Sequence, residues 1–132
     1  MTHFETVVLD SQGLSAWIAQ DRELLAMLQV FHEMGADTVV SANTIVEVSH
    51  QRMNLPRLNW TLSRVKVEPV TAHAARAAAE LLKTAGLHGH TYAIDATVAE
   101  AALRQPAPVA LVTSDTDDMA KLCGDRVRLI AL

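Results

Sequence analysis

The sequence lacks the multiple cysteines that cross-link small secreted proteins and the long apolar runs that anchor a chain in a membrane. Its 132 residues include one cysteine, Cys123, which has no partner for an intramolecular disulfide bond and suits a reducing cytosol. No apolar run approaches the roughly 20 residues that a membrane-spanning helix needs. Residues 1–5 lack the basic start and long apolar stretch of a signal peptide. We therefore expect a cytoplasmic protein without a membrane span.

Several common catalytic and binding motifs are also missing. No G-x-S-x-G sequence is present, so a serine-hydrolase elbow is not supported. Gly13 stands alone after the first predicted strand, which argues against a glycine-rich phosphate loop. No Gly/Ser-rich or Pro-rich linker interrupts the chain, and no internal repeat is visible. We therefore predict a single continuous domain over residues 1–132.

Positive charge is in short supply. The chain has 11 Lys and Arg residues against 15 Asp and Glu residues, which gives a formal net charge of −4. Because phosphate groups attract Lys and Arg, this balance at first argues against a nucleic-acid partner. Half of the residues are apolar, which excludes an intrinsically disordered chain and predicts a buried core.

The hydrophobic pattern alternates between predicted strands and helices. Thr6–Leu9 is too apolar to have a solvated face, as expected of a central strand in a parallel sheet. Pro69 favours the end or an edge position for the third strand. The predicted strands are Thr6–Leu9, Thr38–Val40, Val65–Val70, Val109–Thr113 and Val127–Ile130. The predicted helical stretches are Leu14–Phe31, Asn43–Met53, Thr71–Ala85, Tyr92–Arg104 and Asp117–Leu122. This order indicates a mostly parallel sheet covered by helices on both faces.

Acidic residues follow the predicted strands at the end where such sheets bind their ligands. Asp10 comes directly after the first strand, and Asp115 follows the Val109–Thr113 strand by two residues. Glu47 and Asp95 lie near the starts of predicted helices. Carboxylates brought close together repel one another, so such a cluster either takes up protons or binds cations. All-oxygen ligands suit Mg²⁺ or Mn²⁺, and paired ions of this kind can clamp the reacting oxygens of a phosphodiester.

Each acid also has a purely structural interpretation. Thr44-x-x-Glu47 matches a capping box, in which Glu47 caps a helix and does no chemistry. Asp115 and Asp118 have the same spacing, with Asp115 as the N-cap. Asp10 could be a turn residue at a strand end. The joint placement of these acids at the ends of the right elements favours the metal site, and capping is compatible with metal binding.

Four short motifs carry these acids over essentially the whole chain. They are Val7-Val8-Leu9-Asp10-Ser11, Ile45-Val46-Glu47-Val48, Ile94-Asp95-Ala96 and Val112-Thr113-Ser114-Asp115-Thr116-Asp117-Asp118. In order and spacing they resemble the PIN domain, and within it the VapC-type toxins of bacterial toxin–antitoxin pairs. The resemblance implies a Rossmann-like three-layer α/β/α sandwich with a mostly parallel central sheet. It also implies four catalytic acids that bind metal, namely Asp10, Glu47, Asp95 and Asp115. A fifth metal ligand corresponds to Asp118, and two hydroxyl residues that flank the acids correspond to Ser11 and Thr113.

The same resemblance implies an activity and partners. It points to an endoribonuclease that uses Mg²⁺ or Mn²⁺ to cleave RNA by in-line hydrolysis, leaving 5′-phosphate and 3′-hydroxyl ends. It further implies a homodimer that is inhibited by a cognate antitoxin protein. Two divalent ions would balance the net charge of −4, so the acids would hold a phosphate-rich substrate through metal.

One stretch of the chain is basic. Residues 48–67 contain no acidic residue and four basic ones, namely Arg52, Arg57, Arg64 and Lys66. We predict that they contact the RNA backbone or form a groove for the protein partner. An ordinary solvated helix face is the alternative.

Two other functions compete with the ribonuclease. A non-catalytic PIN-like module that binds RNA or a protein is one, although a pure binding surface gains nothing from four repelling carboxylates. A metal-dependent phosphatase or DNA nuclease is the other. Asp10-Ser11-Gln12 lacks the second aspartate that phosphatases of the haloacid type use, which disfavours that class.

Overall fold

The computed structural model describes residues 3–132, in which five strands alternate with helices. Met1 and Thr2, which belong to the N-terminus considered above and to the expected domain, lie outside the described residues. The strands are β1 (Thr6–Leu9), β2 (Asp37–Ser41), β3 (Lys66–Glu68), β4 (Val109–Thr113) and β5 (Arg128–Ala131). The helices are α1 (Ser11–Ile18), α2 (Arg22–Glu33), α3 (Ala42–Val48), α4 (Leu55–Leu62), α5 (Ala72–Ala85), α6 (Gly89–Leu103) and α7 (Thr116–Cys123). No helix within residues 3–132 is both long and apolar enough to cross a membrane.

The strands form one sheet in the order β3-β2-β1-β4-β5, and every neighbouring pair is parallel. Leu9 pairs with Val40 of β2 on one side and with Val112 of β4 on the other, so three central strands end at nearly the same level. Along the chain, β2 is added beside β1 and β3 beside β2. The next strand, β4, then pairs with the opposite side of β1. The switch point therefore lies between β1 and β4, where open parallel sheets bind ligands.

Successive residues of the central strands pack into two separate cores. Val7 and Leu9 face the core that contains α1, α2, α3 and α4, whereas Val8 faces the core that contains α5, α6 and α7. All three side chains are fully buried because both faces of the sheet are covered. The predicted three-layer α/β/α sandwich is confirmed.

Two helical stretches differ from the sequence prediction because a polar cap divides each of them. The apolar spacing between Leu14 and Phe31 spans both α1 and α2, and the Asp21 side chain caps α2 by accepting the Leu24 N–H at 3.0 Å. The stretch predicted to run to Met53 ends at Val48, and a separate helix, α4, begins after Asn54. Hydrophobic periodicity alone does not reveal such breaks, because the two helices bury faces against the same core.

The other helices and the edge strand follow the prediction closely. Thr71 caps α5 by accepting the Ala74 N–H at 3.1 Å, and Gly86 ends this helix in the left-handed conformation, with φ of 68°. Helix α6 starts at Gly89, before the predicted Tyr92, and Tyr92 itself departs from helical geometry. Contrary to the prediction, Asp95 is therefore not in the first turn of α6, but follows the irregular Tyr92 by three residues.

Candidate metal centre

The predicted acids lie at the carboxyl end of the sheet, around the switch point between β1 and β4. Asp10 directly follows β1, and its backbone N–H donates to the Val112 carbonyl of β4 at 3.1 Å. Asp115 follows β4 by two residues and precedes α7. Because β1 and β4 are hydrogen-bonded neighbours, two acids that are 105 positions apart in the sequence follow adjacent strands.

Asp10 is held in place by backbone donors. It is the N-cap of α1, where its Oδ1 accepts the Gly13 N–H at 2.9 Å. Its Oδ2 accepts the N–H of Ser114, in the loop after β4, at 3.3 Å. The carboxylate is buried, with 6% of the residue exposed. Asp10 is therefore a helix cap rather than a simple turn residue, and its orientation is fixed by two parts of the fold.

Three carboxylates form the centre of the cluster. One oxygen each of Asp95, Asp115 and Asp118 lies within 4.8 Å of the others. Asp95 comes from α6, Asp115 from the loop before α7, and Asp118 from the first turn of α7. These distances allow a single cation to contact all three oxygens after small side-chain movements.

The loop that carries Asp115 is shaped by a buried hydroxyl. The Thr113 Oγ1 accepts the Asp115 N–H at 2.9 Å, and Thr113 is fully buried. Asp115 occupies the N-cap position of α7, but its side chain makes no capping hydrogen bond. Asp115 is therefore at the N-cap position that the structural alternative predicted, but its carboxylate does not bond to the helix end, and its oxygens are available to a ligand.

The electrostatics of the site link all five predicted acids. The pKa of Asp95 is raised from 3.8 to about 6, chiefly because burial disfavours its charged form. The charges of four nearby carboxylates add to this, in decreasing order Asp115, Glu47, Asp118 and Asp10. A bound cation would reverse this balance.

Glu47 lies on α3 and does not cap it. The N-cap of α3 is Ser41, without a side-chain capping bond, and Thr44 lies inside the helix. The Thr44 hydroxyl is buried and has no hydrogen-bond partner among the described residues. The capping-box alternative is therefore wrong. Glu47 is exposed and lies outside the three-carboxylate group, but it is near enough for its charge to contribute to the raised pKa of Asp95.

Two further features of the site were missed in the sequence. The Asn43 Nδ2 donates to the Thr97 Oγ1 at 3.4 Å, which links the helix that carries Glu47 to the helix that carries Asp95. No local signal predicts a pair so distant in the chain. Gly13 could have been noticed, because a Cβ there would lie 3.2 Å from the Leu9 Cβ. The missing side chain lets α1 pass close over β1, which brings the Gly13 N–H to Asp10.

The remaining predicted residues lie around this centre or away from it. Ser11 is the first residue of α1, next to Asp10. Arg52 and Arg57 line a cavity beside α1. Lys66 begins β3, and its Nζ pairs with the Glu68 carboxylate at 2.9 Å. The Arg64 guanidinium lies 5.1 Å from the centre of the Trp60 ring, just before β3. The four basic residues thus form two groups, and only Arg52 and Arg57 lie beside α1.

The chemistry of the cluster fits a hard divalent cation. Its three converging donors are carboxylate oxygens, which Mg²⁺ and Mn²⁺ prefer, and no sulfur or imidazole belongs to the group. Asp10 and Glu47 add negative charge around it. Residues Asp95, Asp115 and Asp118 could hold one ion, and the two outer acids could complete its surroundings or hold a second.

The comparisons with known proteins agree with this geometry. The sequence model of the PIN domain matches residues 7–125. A search of curated proteins finds no match. The fold is similar to a crystal structure described as VapBC2 from Rickettsia felis bound to a DNA fragment from their promoter, with a TM-score of 0.71 and 16% sequence identity. That similarity covers 96% of this chain and 98% of the other, and at this identity it concerns the fold alone. On the strength of the match over residues 7–125, the chain belongs to the PIN domain family.

Proposed function

We propose that this protein is a Mg²⁺- or Mn²⁺-dependent endoribonuclease that cleaves RNA by in-line hydrolysis. The observation that carries the proposal is the cluster of Asp95, Asp115 and Asp118 at the switch point of the sheet, where no Lys, Arg or His among residues 3–132 forms an ion pair with these acids. PIN domains are generally nucleases, which supports a hydrolase that acts on phosphodiester bonds. A surface that only binds RNA or protein would gain nothing from the repulsion between these clustered carboxylates.

The proposed roles follow from the position of each residue. Asp10, Glu47, Asp95 and Asp115 are the catalytic acids, and together with Asp118 they hold the metal. When bound, a divalent cation supplies positive charge to the reacting phosphate oxygens and makes water more acidic.

The supporting residues keep the acids in position. The N–H groups of Gly13 and Ser114 hold the two oxygens of Asp10, and the Thr113 hydroxyl holds the backbone of Asp115. Ser11 supports the start of α1 beside Asp10. Pre-positioned ligands of this kind reduce the rearrangement needed when metal and substrate bind.

We further propose that the protein is the toxin of a VapBC-type pair and acts in the cytoplasm as a single-domain homodimer. Support comes from the resemblance of its motifs to VapC-type toxins and from the fold shared with a VapBC2 complex. The partner would then be a cognate antitoxin protein that blocks the acidic site. A small reading frame beside the gene, whose product binds this protein and stops cleavage, would support this part of the proposal.

A substrate panel tests the nuclease. Purified protein is incubated with structured RNA, duplex DNA and a phosphomonoester, each with Mg²⁺, with Mn²⁺ and with a chelator. We expect cleavage of RNA alone, only with metal, and a loss of at least about 100-fold in Asp95→Asn. Cleavage of DNA or of the phosphomonoester instead would favour the other metal-dependent hydrolases. Full activity of Asp95→Asn would show that the site is assigned wrongly, and no cleavage of any substrate would favour a binding module.

A further inference from the structure

A cationic cavity lies along α1, the helix that begins beside Asp10. It is open, has a volume of about 490 Å³, and lies between α1 and the segment that joins α3 to α4. Its lining includes His50, Arg52 and Arg57, together with Ser15 and Ile18 of α1, and it contains no acidic residue. In a chain with a net charge of −4, such a lining marks a local region of positive potential.

The cations of this cavity are free to bind an anion. Among the described residues, no carboxylate lies within 4.0 Å of a charged nitrogen of Arg52 or Arg57. The half-buried Arg57 donates from its Nη1 to the Ile18 carbonyl at 3.3 Å, which orients its guanidinium and leaves other N–H donors unused. The Arg52 N–H donates to the His50 Nδ1 at 3.1 Å, so these two residues are held next to each other.

The other basic group of the same segment is different. The cavity that Arg64 and Lys66 line also contains Asp37, and the Lys66 ammonium is already paired with Glu68. The Arg64 guanidinium stacks over Trp60. Residues Lys66 and Asp37 begin their strands, so this second cavity lies at the amino end of the sheet, opposite the acids.

The spacing along α1 relates the cavity to Asp10, the acid at the start of this helix. Helix α1 begins beside Asp10 and runs away from the carboxyl end of the sheet. At about 1.5 Å per residue, Ser15 lies roughly 6 Å and Ile18 roughly 10 Å along the helix from Ser11. A nucleic-acid strand that followed α1 from the acids would therefore reach this cavity within a few nucleotides.

We propose that the cavity lined by His50, Arg52 and Arg57 binds a backbone phosphate of the RNA substrate, away from the bond that is cleaved. This inference rests on the proposed ribonuclease function and assigns a second contact to the same substrate. Its role is to offset the repulsion between the RNA and the five acids, since a guanidinium offers a fork of donors that matches phosphate. The contact is to the backbone, so it is independent of the base sequence.

Binding of a labelled single-stranded RNA of about 20 nucleotides tests the proposal. Anisotropy titrations use the full chain with a chelator, so that cleavage does not interfere, over about 50–200 mM salt. We expect Arg52→Gln to raise Kd by about three- to tenfold. The slope of log K against log salt should fall by about 0.7, the value for one phosphate contact on a single strand. The Arg52 side chain is exposed, so the substitution leaves the fold intact.

Arg76→Gln is the matched control. Arg76 is an exposed arginine of α5, on the other side of the sheet, and it has no ion pair among the described residues. The Arg76→Gln variant has the same change of charge as Arg52→Gln, but its Kd and salt slope should equal those of the wild type. Equal weakening in both variants would indicate long-range attraction without a site, and no weakening in Arg52→Gln would also overturn the proposal.

Two further readouts separate the remaining outcomes. If binding of an acidic peptide, and not of RNA, depends on Arg52, the cavity takes a protein segment and the RNA proposal is wrong. Cleavage with Mg²⁺ is measured separately on the same variants. Loss of RNA binding in Arg52→Gln supports the phosphate site even if Asp95→Asn shows that the acids were assigned wrongly.

Discussion

Two groups of acidic side chains in this protein have opposite electrostatic surroundings. At the carboxyl end of the sheet, Asp95 lies among other carboxylates, and its pKa is raised to about 6 by burial and by their charges. At the edge strand β3, Glu68 is buried and pairs with Lys66 at 2.9 Å and with Arg104 at 2.6 Å. Its pKa is lowered, first by the hydrogen bond from Lys66, although burial opposes the shift.

The difference separates acids that support the fold from acids that await a ligand. Burial disfavours the charged form of both carboxylates, so the direction of each pKa shift depends on the charges of the neighbouring groups. Cations of the chain surround Glu68, and the Arg104 Nε also pairs with the Glu100 carboxylate at 3.1 Å, which completes a network between β3 and α6. The acids at the switch point have like charges as neighbours. Their repulsion costs stability until a cation arrives.

The largest expected contrast is the response to Mg²⁺. At about 100 times its dissociation constant, a bound ion should stabilise the folded protein by about 2.7 kcal/mol. Asp115→Asn removes one of the three clustered carboxylates and should abolish most of this gain. Asp117→Asn changes a nearby exposed acid that lies outside the cluster, so this variant should retain the stabilisation by Mg²⁺. Thermal unfolding with and without Mg²⁺ measures both, and equal responses would contradict the assignment of the site.

A smaller effect is expected at β3. Glu68→Gln keeps the shape of the side chain but removes the charge that Lys66 and Arg104 face, which should destabilise the protein by about 2 kcal/mol. Glu80→Gln, at an exposed position of α5, should change stability by less than about 0.5 kcal/mol. Urea unfolding at neutral pH compares the two. An unchanged midpoint in Glu68→Gln would mean that this network does not stabilise the fold.

The smallest expected effect is a pH-dependent gain in Asp95→Asn without metal. Because the folded pKa of Asp95 is raised from 3.8 to about 6, its contribution to stability is complete below pH 3.8 and is lost as the pH rises through 6. The variant should therefore be more stable than the wild type by about 1 kcal/mol at pH 7.5, with partial exposure of the group taken into account. The stabilities of the two proteins should converge near pH 4. A variant that is less stable than the wild type at pH 7.5 would show that favourable interactions of the Asp95 carboxylate outweigh its burial and the repulsion.

The strands and the better-marked helices could be predicted because their signals are local. Thr6–Leu9 is an apolar run that only a sheet covered on both faces accommodates, and Gly86 is placed where α5 needs a left-handed residue. The breaks at Asp21 and Asn54 also had local signals, since both side chains cap the next helix. Apolar periodicity concealed them because it continues through both helices.

The candidate site divides in the same way. The types and order of its acids, and their positions after strands and near helix starts, could be predicted from the sequence. The hydrogen bond between Asn43 and Thr97 could not, since it joins residues 54 positions apart. The separation of Arg52 and Arg57 from Arg64 and Lys66 could not be predicted either. These four residues are close in the chain, but the two pairs line different cavities.

The sequence by itself determined the alternation of strands and helices and the identity of the acids. Only the tertiary structure decided which charges meet. Parallel pairing of β1 with β4 brings Asp10 and Asp115 to one edge, and packing of α6 adds Asp95. The same folding gives Glu68 its partners, Lys66 and Arg104. The physical reason is that electrostatic interactions depend on distance in space and on burial, both of which arise only when the chain is folded.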